Sequence, residues 1–316
     1  MRRPSFQKLT LFLVGILVCT TTGVLPIAQA SSFPVAIPFR SQQQLGSIHW
    51  QLAQHALNSG DARGAISELE AATTLCPTII AWKQELVRLY EKTGFYYPAI
   101  KTIDDLTQQL PHNASLWYER GLLFEKLNQL ELATQSLQKA TELAPAQGLY
   151  FYDLGVYAAR LGQHQLSADA SFKAIELNFN VADAYNNYGY ALSHTKNYEL
   201  AEKAINQALK LQPQALAATM DSKGFVCHKQ NRYKEALIWY NRALEKDPLL
   251  SDVHLHKAET LEALGVLPEA IAGYQTYIRL TKPNDELAAI VEHLKQLKEK
   301  VASQSNKIAS PVSFSP

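Results

Sequence analysis

The stretch LELATQSLQKATELAP, residues 130–145, sets small residues at Ala133 and Ala140 around Leu137 and stops on Pro145. Residues 198–213 repeat that spacing with Ala201, Ile205, Ala208 and Pro213, and residues 233–248 repeat it with Ala236, Tyr240, Ala243 and Pro248. Apolar positions three and four apart mark one face of an α-helix. A proline after the last of them ends it, because the next helical residue needs an N–H that proline lacks. Carried both ways, the frame gives about seven copies, starting at Gly46, Ile80, Ala114, Gly148, Ala182, Ala217 and Ser251. The starts lie 34 residues apart, with one step of 35 after Pro213. A fixed period of this length signals stacked units, none of which can bury its apolar face alone.

Each repeated position has a physical reason. The eighth place is mostly small, holding Ala53, Val87, Gly121, Gly155, Gly189, Gly224 and Ala258. The twentieth faces it with Ala65, Ala99, Ala133, Ser167, Ala201, Ala236 and Ala270. Two helices that cross there can approach closely, and a large side chain at either place would force them apart. Trp117, Phe124, Tyr185, Tyr198, Tyr233, Tyr240 and Tyr274 are expected to fill the gaps between crossings. Gly60, Gly94, Gly162, Gly265, Asn128 and Asn231 suit a left-handed turn inside the hairpin.

On these residues the chain resembles the tetratricopeptide repeat family over residues 46–283. The resemblance implies an all-α, right-handed superhelix of about seven helical hairpins. One copy departs from the pattern, with Phe179 in place of the closing proline and Ser171 in place of a large apolar residue. The last copy carries Tyr277 and Lys282 at the small and proline places, with Pro283 one later.

The flanks read differently. Leu287, Ile290, Val291, Leu294, Leu297 and Val301 share one helical face, opposite Glu286, Glu292, Lys295, Lys298, Glu299 and Lys300. Residues 284–302 are therefore expected to be a capping helix, apolar inward and charged outward. The Ser- and Pro-containing stretch 303–316 is expected to be a disordered tail, and 31–45 a linker. At the start, Arg2, Arg3 and Lys8 precede an apolar run from Leu9 to Cys19, and Ala28-Gln29-Ala30 matches a small-x-small cleavage pattern. Residues 1–30 thus read as an export signal, which places the mature chain in the periplasm or another extracytoplasmic lumen. The rival reading is an uncleaved membrane anchor over residues 9–28, weakened by its threonines and Pro26. Removing residues 1–30 takes three cations and no acid, turning a formal charge of +1 into −2. Without a basic excess, nucleic acid is not an expected partner.

Motifs for catalysis are absent: there is no GxSxG, HExxH, P-loop or glycine-rich dinucleotide turn. The chain reads as no enzyme, with no cofactor and no metal. Cys76 and Cys227 sit in distant copies and read as small core residues. His194 and His228, at the ends of neighbouring first helices, are the one histidine pair that could meet; a metal there would need a further carboxylate such as Glu262.

The family resemblance implies a concave face lined by the first helix of each hairpin, where partners lie as extended segments. In this frame the partner-binding candidates are Trp50, Glu85, Arg88, Tyr118, Glu119, Tyr152, Asp153, Asn187, Tyr190 and Phe225. Their aromatics form a broken stripe of interface anchors, and Glu85, Glu119 and Asp153 share one position in three consecutive copies. Asn187 is similar to an asparagine that bonds a bound peptide's backbone in some relatives, whereas the family's Lys/Asn carboxylate clamp is absent. The expected role is a non-catalytic scaffold for segments of partner proteins, basic ones among them, in assembly of an envelope or membrane complex. The alternatives are a self-associating spacer, a homo-oligomer whose interface covers the groove, and a docking subunit for an enzyme on another chain.

Overall fold

The computed structural model describes residues 38–309 apart from 213–215 and 283–284, with the side chains of 285–286 and 304–309 also left out of the description. The expected export signal, most of the expected linker, Pro213, Pro283 and residues 310–316 lie outside the described residues.

Among the described residues the chain folds into helices throughout. These are α1 (Phe39–Asn58), α2 (Ala62–Leu75), α3 (Ile80–Thr93), α4 (Tyr96–Gln109) and α5 (Ala114–Lys126). They continue as α6 (Leu130–Leu143), α7 (Gly148–Arg160), α8 (His164–Glu176), α9 (Val181–His194) and α10 (Tyr198–Leu211). The last are α11 (Ala217–Lys229), α12 (Tyr233–Lys246), α13 (Ser251–Ala263), α14 (Leu267–Leu280) and α15 (Asp285–Ala309). Each helix packs on the next, so α1 to α14 form seven antiparallel pairs stacked in one direction. This is the all-α superhelix expected from the repeat.

The small positions do what the spacing requires. A Cβ added to Gly189 would sit 2.5 Å from Ile205 Cγ1 and 2.9 Å from the Ala201 carbonyl oxygen. One added to Gly224 would meet the Tyr240 ring at 2.5 Å. Ala53, Ala65, Ala99, Ala133, Ala201, Ala236, Ala258 and Ala270 are fully buried at the same crossings. Gly60, Gly94, Gly162 and Gly265 adopt φ between 70° and 79°, and Asn128 and Asn231 adopt 56° and 60°. The remaining hairpin turn uses Lys196 at φ 65°, which the sequence did not flag.

Two boundaries and one helix face differ from expectation. The first helix starts at Phe39, inside the expected linker: Pro38 has fixed φ and extended ψ of 141°, and suits the position before a helix. The capping helix runs on to Ala309, well into the expected tail, since residues 302–309 contain no proline or glycine to stop it. Its apolar face is also narrower, with Leu294 and Leu297 buried while Val291 stays exposed.

The copy without a closing proline packs differently. Asn178 and Asn180 take left-handed φ values of 55° and 43°, and Phe179 folds in where its Cβ lies 2.5 Å from a Cβ imagined on Gly148. Only glycine leaves room for that approach, and α8 and α9 there pack along more of their length than helices at the proline-closed junctions.

Polar pairs tie neighbouring hairpins. Lys223 on α11, 4 % exposed, donates to Glu202 Oε1 on α10 at 2.6 Å and to Asn206 Oδ1 at 2.9 Å. Arg232 donates to the same Glu202 oxygen at 2.7 Å. Burial works against the Glu202 charge, yet the bonds from Arg232 and Lys223 outweigh it and hold the carboxyl down at about 2. Buried charges persist only when paired in this way.

Candidate functional site

In the C-terminal half the first helices also touch one another across layers, α7 with α9, α9 with α11 and α11 with α13. The stack therefore bends with its first helices on the inside. That inner face is the candidate site.

Its first stretch, on α3, α5 and α7, is acidic and aromatic. Glu85 is half-buried and pairs loosely with exposed Arg88, Oε2 to Nη1 being 3.4 Å. One layer on, Glu119 is half-buried; burial pushes its carboxyl above the usual range, with Arg88 opposing and Glu91 adding to the rise. In the next layer Asp153 accepts from the Tyr118 hydroxyl at 2.6 Å, and burial again raises its carboxyl while that bond opposes the rise. Tyr118 stacks on Tyr150 with centroids 4.5 Å apart. Tyr152 packs against Phe179 at 5.8 Å, and burial raises its hydroxyl pKa, with nearby Asn187 and Asn180 opposing the rise. Two partly desolvated carboxylates at consecutive layers, with no ion pair of their own among the described residues, form an acidic strip.

The second stretch, on α9, α11 and α13, is closed on itself. His194 stacks on His164 with centroids 4.0 Å apart and on Phe225 at 4.9 Å. Phe225 also meets Tyr190 at 5.6 Å and His256 at 5.0 Å, and Lys229 Nζ lies 4.7 Å above its ring. His256 bonds Asp221 at 2.9 Å; burial would lower this histidine, but Asp221 outweighs it and the ring titrates above its ordinary value. His194 is pushed down to about 4 by burial, helped by His164, Lys229 and His256. His228, bonded to Thr260 at 2.7 Å, is likewise pushed down to about 4 by burial, with Lys229 and His256 adding to it.

Three of the ten candidates, Trp50, Tyr190 and Phe225, do not stand in the open strip. Trp50 stacks on Trp82 at 5.6 Å with planes 12° apart, so it packs between hairpins. Phe225 is 5 % exposed, because His194 and His256, one layer to either side, close over it. Glu85, Arg88, Tyr118, Glu119, Tyr152 and Asp153 do come together along α3, α5 and α7, with Asn187 beside Tyr152. Tyr190 belongs to the closed stretch. His194 and His228 do not share a site: each is engaged by different rings. Among the described residues no three His, Cys, Asp or Glu side chains group as metal ligands. The layered contact of His164 with His194 was missed in the sequence. The available signal was that both flank hairpin turns, one just after Gly162 and the other just before Lys196.

Cys76 and Cys227 are buried and free. No helix among the described residues is long and apolar enough to cross a membrane.

Comparison with known proteins agrees with this architecture. A family model described as tetratricopeptide repeat matches residues 180–248, and a second of the same description matches 114–147. Among solved structures, a tetratricopeptide repeat protein from Parabacteroides merdae is similar with TM-score 0.62 and 13% identity, covering 80% of this chain and 99% of that one. PilW, described as a type IV pilus biogenesis factor, is similar with TM-score 0.53 and 19% identity, covering 68% of this chain and 99% of its own. The Cut9–Hcn1 hetero-tetramer of APC/C is similar with TM-score 0.51 and 16% identity, covering 80% of this chain and 52% of that one. Identities this low speak for the fold alone. A search of curated proteins finds no match.

Proposed function

Because the chain is a tetratricopeptide-repeat protein, by sequence over residues 114–147 and 180–248 and by fold along the array, we propose that it is a non-catalytic scaffold that holds a basic, extended segment of a partner protein against α3, α5 and α7. One observation carries this reading. Glu119 and Asp153 are carboxylates raised by burial, and among the described residues the groups that oppose the rise are Arg88 and the Tyr118 hydroxyl. Lys or Arg side chains from a partner would relieve both, and charge-assisted bonds at a partly dry site are the strong ones. Tyr118 and Tyr152 supply flat apolar surface on either side, and Asn187 offers an amide to an extended backbone.

The N-terminal pattern supports export, with action in the periplasm or a comparable lumen, or at a membrane if residues 9–28 remain as an anchor. Assembly of an envelope or membrane complex fits such a location, and PilW shows that a protein of this fold can be a pilus biogenesis factor. The experiment is photocrosslinking in the native host from a probe at Arg88, with a second probe at Lys295 on the outside of α15. The reading expects Arg88 to capture a Lys- or Arg-containing segment that Lys295 does not. Identical captures from both positions would contradict it.

A further inference from the structure

Pro77, Pro111, Pro145 and Pro248 stand at four of the junctions between consecutive hairpins, and Phe179 takes the proline's place between α8 and α9. It lies between Asn178 at φ 55° and Asn180 at φ 43°. The other positive-φ residues among the described ones sit in turns within hairpins. Left-handed φ is least costly for asparagine among side-chain-bearing residues, but it still persists only where the surrounding structure holds it.

This irregular turn delivers one side chain. The Phe179 N–H donates to the Ala174 carbonyl at 3.0 Å as α8 ends, and the Asn180 carbonyl accepts from the Ala184 N–H at 2.9 Å as α9 begins. Pinned from both sides, Phe179 lies over the first turn of α7, where Gly148 and Tyr152, four residues apart, share a face. Gly148 leaves the room, and the Phe179 ring stands 5.8 Å from that of Tyr152, tilted by 56°.

The preceding copy says what this ring is for. Tyr118, one period before Tyr152, is held by its stack on Tyr150 and by its bond to Asp153. One period on, those two places are occupied by Ala184 and Asn187. Ala184 is fully buried and has no ring to offer, so the stack that holds Tyr118 cannot recur. Phe179 brings a ring to Tyr152 from the junction instead.

We propose that Phe179 is a positioning residue of the binding strip, orienting Tyr152 so that it and Tyr118 present matching faces to one bound segment. The role rests on the reading of the strip given above. A flat side chain already held in place loses less freedom when a partner settles on it. Proline, the residue of other copies, would supply no ring there.

The test places a fluorotyrosine at position 152 and follows its fluorine resonance, alongside the affinity of fluorescein-labelled deca-lysine at low salt. Both are read in the parent, Phe179→Leu, Phe179→Tyr and Val253→Ala, at a temperature where circular dichroism shows all four folded. Val253 is buried on α13, outside the strip, and controls for lost stability alone. Phe179→Leu should shift or broaden the resonance and weaken deca-lysine roughly two- to tenfold. Phe179→Tyr, which keeps the ring, should restore both towards the parent, and Val253→Ala should move neither. A resonance unmoved by Phe179→Leu would overturn the positioning role. A moved resonance with unchanged affinity would overturn its part in binding. A parent that does not bind deca-lysine would overturn the strip and the binding role with it, while the fluorine signal still decides whether Phe179 orients Tyr152.

Discussion

The inner face of α3, α5 and α7 and that of α9, α11 and α13 occupy the same places in the same repeat, yet their side chains have opposite fates. In the first region Glu85, Glu119 and Asp153 stand at one position in three layers and are incompletely satisfied. In the second, Tyr190, Phe225, His164, His194 and His256 pack ring against ring, and the layers close. Position in a repeat therefore sets where a side chain points, but its neighbours one layer away decide whether it is free to bind.

The largest test of this contrast is Phe225→Ala. A phenylalanine enclosed by rings should cost about 3–5 kcal/mol on truncation, against a negligible change for Glu85→Ala. Thermal unfolding that shifts equally for both would mean the second region is as open as the first. Gly189→Leu should cost about 1–3 kcal/mol or more through overpacking, because Ile205 and the Ala201 carbonyl already crowd that site. An unchanged melting curve would show that α9 and α10 do not cross there.

A smaller effect is acid sensitivity confined to the second region. The unfolded chain protonates the His194 ring near pH 6.5 and the folded chain only near 4. Because the unfolded state binds more protons in that interval, stability is full above about pH 6.5 and is lost as pH falls towards 4. His228 acts in the same direction. His256 acts oppositely, since its pKa is raised by Asp221: its contribution is kept on acidification and lost as pH rises through the folded value. Replacing His194 by Phe, which keeps a ring between His164 and Phe225, should lessen the loss of melting temperature between about pH 7 and about pH 5. Equal losses in parent and variant would remove His194 from the account.

The fold was legible because it is local and repeated. Gly189 opposite Ala201, Gly224 opposite Ala236 and the glycine and asparagine turns each announce a backbone requirement within one hairpin. The site was legible only in part. Glu119 and Asp153 share a repeat position and could be found by counting. The burial of Phe225 depends on His194 and His256, one layer to either side, so no pattern within a hairpin shows it. Trp50 was misplaced for a related reason: its partner Trp82 lies in the next copy. Lys196 in a left-handed turn gave no signal, because lysine has no preference for that conformation.

The central claim is that the strip on α3, α5 and α7 holds a basic segment. Its most direct test is the affinity of the captured segment for the parent chain and for the Glu85→Lys, Glu119→Lys, Asp153→Lys triple variant, measured against salt and pH. The account predicts binding that weakens with salt, weakens as pH falls through the raised carboxyl range of Glu119 and Asp153, and is abolished or slowed strongly by the reversal. Binding that survives the reversal, or is indifferent to salt and pH, would contradict it.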